Sequence, residues 1–355
     1  MLAAVLGLGI LGTLAGVAAM IDIGLPTASH LASSGSYTDG LHALEADGFP
    51  AGTLTTVPVY VPHAADAAPV ASSLGTVASV RGAVAPAGTP WRQGGSAMVF
   101  VIPQHEVGTS LGGTSLADIQ HTVPHGVLVG GEGAVGIELT RSTYGTFPIL
   151  FAVVALVTFV LLARGLRSIL LPAKAVLLNI LSVAASYGLL VLVFQHGFGM
   201  QTFWGARSYG AVDTLAPVLI FGFLFGVSMD YEVFILARVR EGYERTGSTR
   251  EGIVEGLSRT GRLVTSAALI LFLALASLST ANDITVRQIA AGLACGVLLD
   301  AVVVRMLLLP ALVSLLGRLN WWLPRSAARL LRIKDEASRT SADQERIPLP
   351  IGDAG

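Results

Sequence analysis

The sequence predicts a polytopic α-helical membrane protein with six transmembrane helices and one large extracytoplasmic α+β domain between the first and the second. Three observations lead there. Hydrophobic residues make up 53% of the 355-residue chain and charged residues only 13%, against a charged share of about a quarter in soluble domains, and the mean hydropathy is +0.70. Six apolar runs, over residues 2–20, 147–163, 171–194, 215–237, 263–280 and 289–316, match the roughly 20 residues that cross a bilayer as a helix. The 22 basic residues are spread unevenly among the segments that join these runs.

The first run has no basic segment ahead of it and ends in GVAAM, so it reads either as a span or as a cleavable signal peptide. Its length favours the span. Residues 21–146 follow as one domain, in which short apolar stretches are punctuated by Gly and Pro. TLTTVPVYV (53–61), SAMVFVIP (96–103) and HGVLVGG (125–131) read as strands, and SYTDGLHALEAD (36–47) and TSLADIQHTV (114–123) as helices. Helices packed on a sheet are the expected product. Phe49, Val57, Val59, Val99 and Phe100 are candidates for its core or for a cavity lining. Of the scattered histidines only His121 and His125 are close in sequence, and Pro124 between them prevents a shared helix face, so no metal site is expected. Cys295 is the sole cysteine, which excludes an intrachain disulfide and a cysteine metal cluster. No cofactor is implied.

Residues 147–317 hold spans two to six. Orientation follows from the preference of Lys and Arg for cytoplasmic loops. Arg164, Arg167 and Lys174 join spans two and three, six arginines from Arg238 to Arg262 join four and five, and seven basic residues follow span six. These loops are therefore read as cytoplasmic, as are both termini. The net charge of −1 averages two unlike surfaces, and no basic and aromatic pattern points to nucleic acid. Residues 239–262 are expected to be an amphipathic cytoplasmic loop. Within it Ser248 and Glu251 form a capping box ahead of a short helix, with Ile253, Val254 and Leu257 toward the membrane face. Residues 318–355 read as an interfacial segment, anchored by Trp321 and Trp322, and then a disordered tail.

Span four contains FGVSMDYEVF, which places Asp230 deep in an apolar run. A charged side chain at mid-bilayer costs about 2.5–3.5 kcal/mol on insertion scales, and such residues usually face protein or a water pathway. At 100° per residue Asp230 shares a face with Gly226, Val227 and Phe234, with Tyr231 adjoining. A carboxylate and a phenol at that depth can take up and pass on a proton as hydration changes. The other reading is a structural Asp bonded to a neighbouring helix. Glu232 lies nearer the cytoplasm and is expected to reach the headgroups or to pair with Arg238 or Arg240. Asp300 and Arg305 in span six are five residues apart and on different α-helical faces, so each is expected to find a partner on another helix.

SMDYEVFILARVREGYERTG, EGIVEGLSRTGRLVTSAALIL and LLDAVVVRMLLLPAL resemble the second half of the MMPL (mycobacterial membrane protein large) transporters of the resistance-nodulation-division (RND) superfamily. The likeness covers nearly the whole chain, and the Asp-Tyr pair is its most specific element. It implies a secondary transporter of the proton-antiport type in the cell membrane, not an enzyme, that exports lipids or other hydrophobic molecules through a porter-like outer domain. The implied proton relay is Asp230 and Tyr231, with Ser228, Glu232, Asp300 and Arg305 in support, acting with a matching pair on another six-helix half. That half could come from a homodimer or a separate chain, or this sequence could be an inactive fragment. A non-transporting RND-like regulator or secretion accessory is the alternative function. An intramembrane aspartyl protease using Asp230 and Asp300 is the enzyme alternative, and the surrounding motifs do not match it.

Overall fold

A computed structural model describes residues 2–24, 36–206, 208–324 and 326. The chain starts with α1 (Leu2–Ala18), continues through a small α+β unit, and then builds a bundle of long apolar helices. Among the described residues five helical stretches are long and apolar enough to cross a membrane: Glu132–Leu166, Leu170–Gln195, Ala216–Thr246, Thr260–Leu278 and Ile284–Leu316. The protein is a multi-pass membrane protein. At 17 residues, α1 is shorter than these five, and it lies against α6 (Leu170–Leu190). The contact is close because Gly188 of α6 faces the Leu14 carbonyl, with which a Cβ would collide.

The α+β unit holds α2 (Ser36–Ala46), β1 (Val57–Val61), α3 (Ala67–Leu74), β2 (Val80–Val84), β3 (Arg92–Gln93), β4 (Ser96–Pro103), α4 (Ser110–Thr122) and β5 (Leu128–Val129). The sheet order is β2-β4-β1-β5, with β3 also on β4, and the pairings are antiparallel. Along β1 and β4 alternate residues turn inward, so that Val57, Val59, Val99 and Val101 pack with Leu74 of α3 and Ile119 of α4. This period-2 alternation is what the sequence pattern predicted. Val57, Val59 and Val99 are core residues, whereas Phe49 is exposed and Phe100 meets the Trp91 ring edge-on at 5.0 Å. The expected strand 125–131 forms only over Leu128–Val129, between turns at Gly126 and Gly131 that take positive φ.

Two boundaries differ from the sequence reading. The second span is part of α5 (Glu132–Leu166), which starts fifteen residues before the apolar run and carries Pro148 inside it. Composition marks where lipid could begin, but the helix continues past that level into the α+β unit. The 239–262 segment is not a separate loop along the membrane. Here, beyond the short α7 (Met200–Trp204), α8 (Ala216–Thr246) and α9 (Thr249–Leu278) run on and meet at a tight turn, with Gly247 left-handed and Ser248 accepting from the Glu251 N–H at 3.4 Å. The capping box thus opens a 30-residue helix, and Val254 points outward. Arg238–Glu241, Arg240–Glu244 and Arg245–Glu255 pairs lace the projecting hairpin. Trp321 stacks on Tyr243 at 4.2 Å and donates to Thr249 Oγ1, whereas most of the expected tail lies outside the described residues.

The last membrane stretch is α10 (Ile284–Leu299), a π-helical segment (Asp300–Leu308) and α11 (Leu309–Leu316).

Candidate functional site

The middle of α8 presents two chemically different faces. Counting 1.5 Å per residue, Asp230 lies about 21 Å from the helix start, within the depth of a hydrocarbon core about 30 Å thick. Its side chain is exposed on the surface of the bundle, in a stripe with Leu219, Phe223, Gly226 and Phe234. No described residue gives it a hydrogen bond or an ion pair. Gly222 and Gly226, four residues apart on this face, have open space where a Cβ would stand, a spacing that lets a second helix approach closely.

The opposite face is polar and buried. Ser228 Oγ donates to Asp300 Oδ1 at 2.9 Å, Asp300 pairs with Arg305, and Arg305 Nη2 donates to the Ser228 carbonyl at 3.1 Å. All three residues are at most 5% exposed. The ion pair corrects the expectation that Asp300 and Arg305 face apart. Across Asp300–Leu308 the chain winds as a π-helix, whose i to i+5 repeat brings residues five apart onto one side. An α-helix would have separated them.

Glu232 is also corrected. It is 2% exposed, and neither Arg238 nor Arg240 reaches it, since each is paired with a glutamate of its own helix. The charges that act on Glu232 are those of Asp300, Arg305 and Lys174, and its Oε1 has no hydrogen-bond partner among the described residues. Tyr231 sits between the two faces, half-buried, with the Arg305 guanidinium 5.0 Å from its ring centroid. Tyr231 thus follows Asp230 in sequence and meets Arg305 with its ring.

Lys174 was read from sequence only as a loop cation. In the structure it is the fifth residue of α6 and donates to Asn320 Oδ1, while Asn320 caps the carbonyls of Val313 and Gly317. The one signal available was a lysine set within an apolar run. Further along α6, Asn179 donates to the Phe225 carbonyl at 3.2 Å, extending the buried polar seam between α6 and α8.

At its start α8 is tied to α5. Tyr144 donates to the Thr214 carbonyl at 3.0 Å, and Thr140 and Thr214 hydroxyls meet at 2.9 Å. Asp213 accepts from Thr285 and from the Leu215 N–H. A cavity of about 630 Å³ beside this junction is lined from both the α+β unit and the helix ends, by Thr56, Glu106, Glu132, Asp213 and Asp283 among others.

The model of the MMPL family matches residues 92–337. The chain belongs to the MMPL family. Three relatives bracket what members are named for. The mycolic acid-containing lipids exporter MmpL11 of Mycolicibacterium smegmatis is 40% identical over 203 residues, 57% of this chain and 21% of that protein. The heme uptake protein MmpL11 of Mycobacterium tuberculosis is 38% identical over 227 residues, 64% of this chain and 22% of that protein. The trehalose monomycolate exporter MmpL3 of the same organism is 37% identical over 242 residues, 65% and 25%. The chain thus spans a fifth to a quarter of the length of these relatives, and the family match includes α8, the π-helical segment and the buried ion pair.

Proposed function

We propose that this chain acts as one half of a proton-driven transporter that exports lipids or other hydrophobic molecules across the cell membrane. In this reading α1 is a span as well, the first of six, both termini are cytoplasmic, and the α+β unit is a porter-like domain on the outer side. Asp230 and Tyr231 handle the proton together with a matching pair on a second six-helix half, either a second copy or a separate chain. The cargo class rests on relatives named for lipid export and for heme uptake, which share large hydrophobic surfaces.

One observation carries the proposal: Asp230 is exposed at membrane depth without a partner among the described residues. A lipid-facing carboxylate is unfavourable by about 2.5–3.5 kcal/mol on insertion scales. A second half that packs against the Gly222–Gly226 face shields Asp230 from lipid and supplies an opposing phenol to donate to it beside the opposing carboxylate. Proton binding neutralises Asp230, weakens the hydrogen bond it accepts from the opposing phenol and relieves its repulsion from the opposing carboxylate, so the halves shift. Motion of α8 reaches the α+β unit through its bonds to α5, which runs unbroken from Glu132 to Leu166.

The test is export of a fluorescent lipid from proteoliposomes under an imposed pH gradient, with the full assembly reconstituted. Asp230→Asn is expected to abolish export and Tyr231→Phe to reduce it at least tenfold, with the protein remaining folded. Export by Asp230→Asn at the unmodified rate would overturn the assignment.

A further inference from the structure

A second cavity lies on the far side of α8 from Asp230, between α9 and the π-helical segment. α9 packs along α10 but stands off from Asp300–Leu308, and the gap is a slot of about 700 Å³ open to the side of the bundle. Its walls are mainly apolar, from Ile235, Leu257, Val264, Leu269, Ala301 and Met306. Among the described residues the only charged groups that line it are two arginines. Arg305 closes the inner end, nearly buried and with its Nε unpaired, and Arg262 stands at the rim. No described residue pairs with Arg262.

The dimensions fit one leaflet. From Arg262 to Leu269 the slot follows α9 for seven residue steps, roughly 10 Å at 1.5 Å per residue, within the about 15 Å of half a hydrocarbon core. Arg262 lies two residues inside the membrane-crossing stretch Thr260–Leu278, the level at which a long cationic side chain meets headgroups. This end of the bundle is the one remote from the α+β unit, because the other end of α9 leads to Asp283 and Ile284, which border the cavity shared with that unit. Water-soluble ligands have no reason to enter a laterally open apolar slot at this depth. An acyl chain does, and the bare arginine at the rim selects the charge of its headgroup.

We propose that this slot binds an anionic phospholipid of the leaflet remote from the α+β unit, with its phosphate on Arg262 and one acyl chain running inward past Val264, Ala301 and Met306. The site is separate from the Asp230 face and does not rest on the export reading. The bound chain covers the stem of Arg305 and keeps its pair with Asp300 away from water on that side.

The test uses the chain purified in mild detergent, stripped of lipid and titrated with phosphatidylglycerol or phosphatidylcholine of the same acyl chains, followed by native mass spectrometry. One saturable phosphatidylglycerol per chain is expected, with at least a fivefold preference over phosphatidylcholine. Arg262→Gln is expected to erase the preference and Arg262→Lys to restore most of it. Gly261→Phe lines the slot at a position where a side chain meets open space, and it is expected to lower retention of both lipids. Melting temperatures check that each variant is folded. Absence of saturable binding, a preference that survives Arg262→Gln, or unchanged retention in Gly261→Phe would each overturn the proposal.

Discussion

Asp230 and Asp300 are both carboxylates at membrane depth, yet they stand on opposite sides of α8 in opposite conditions. Asp300 has what a buried charge needs, an arginine and a serine hydroxyl within the same chain. Asp230 has neither. A structural carboxylate is completed by its own fold, whereas a carboxylate left bare on an apolar surface is completed by something that comes to it. The two sites are one side chain apart, because Tyr231 adjoins Asp230 and carries Arg305 on its ring. A change in hydration or charge on one face therefore has a short path to the other.

The comparison is tested hardest at Arg305. Arg305→Ala leaves Asp300 buried beside Glu232 without its cation, and loss of one partner of a buried pair costs about 3–5 kcal/mol. Unfolding of the chain in detergent is expected to show a loss of that size. Replacing both partners by apolar residues of similar bulk, Asp300→Leu with Arg305→Met, is expected to recover most of it, because the penalty belongs to the lone charge and not to the absent bridge. A loss under about 1 kcal/mol for Arg305→Ala would mean that the pair is bathed in water and that the two faces of α8 do not differ as described.

A smaller effect separates the hydroxyl from the ion pair. Ser228→Ala removes one hydrogen bond to a charged acceptor, typically about 1.5–3 kcal/mol, and leaves the Arg305 contact to the backbone carbonyl in place. The same unfolding assay checks it. An Arg305→Ala, Ser228→Ala double variant sharpens the point: if the three groups act as one network, the double loss falls short of the sum of the single losses.

Much of this was legible in the sequence, and the failures have physical causes. The apolar runs located the long helices because lipid exposure demands length and apolarity, and the alternation in SAMVFVIP gave β4 residue for residue. Composition could not mark where α5 or the α8–α9 hairpin ends, since a helix need not stop at a membrane surface. The pairing of Asp300 with Arg305 was hidden by the assumption of 100° per residue, which the π-helical segment does not obey. Glu232 was misread for a related reason: depth along a helix was weighed, but the face was not, and it turns inward two residues from a carboxylate that turns outward. The polar seam of Lys174, Asn179 and Asn320 joins residues distant in sequence and left no local pattern.

The smallest expected effect is the one that decides most about Asp230. In the isolated chain Asp230→Asn removes no hydrogen bond and no ion pair among the described residues, so its unfolding free energy is expected to fall by no more than about 0.5 kcal/mol, the range of surface substitutions. Export by the full assembly is expected to be lost with the same substitution. A fold that does not register the change, joined to a function that does not survive it, assigns the carboxylate to a contact made outside this chain. A loss of several kcal/mol in the isolated chain would instead make Asp230 a structural residue of the bundle, and the contrast with Asp300 would disappear.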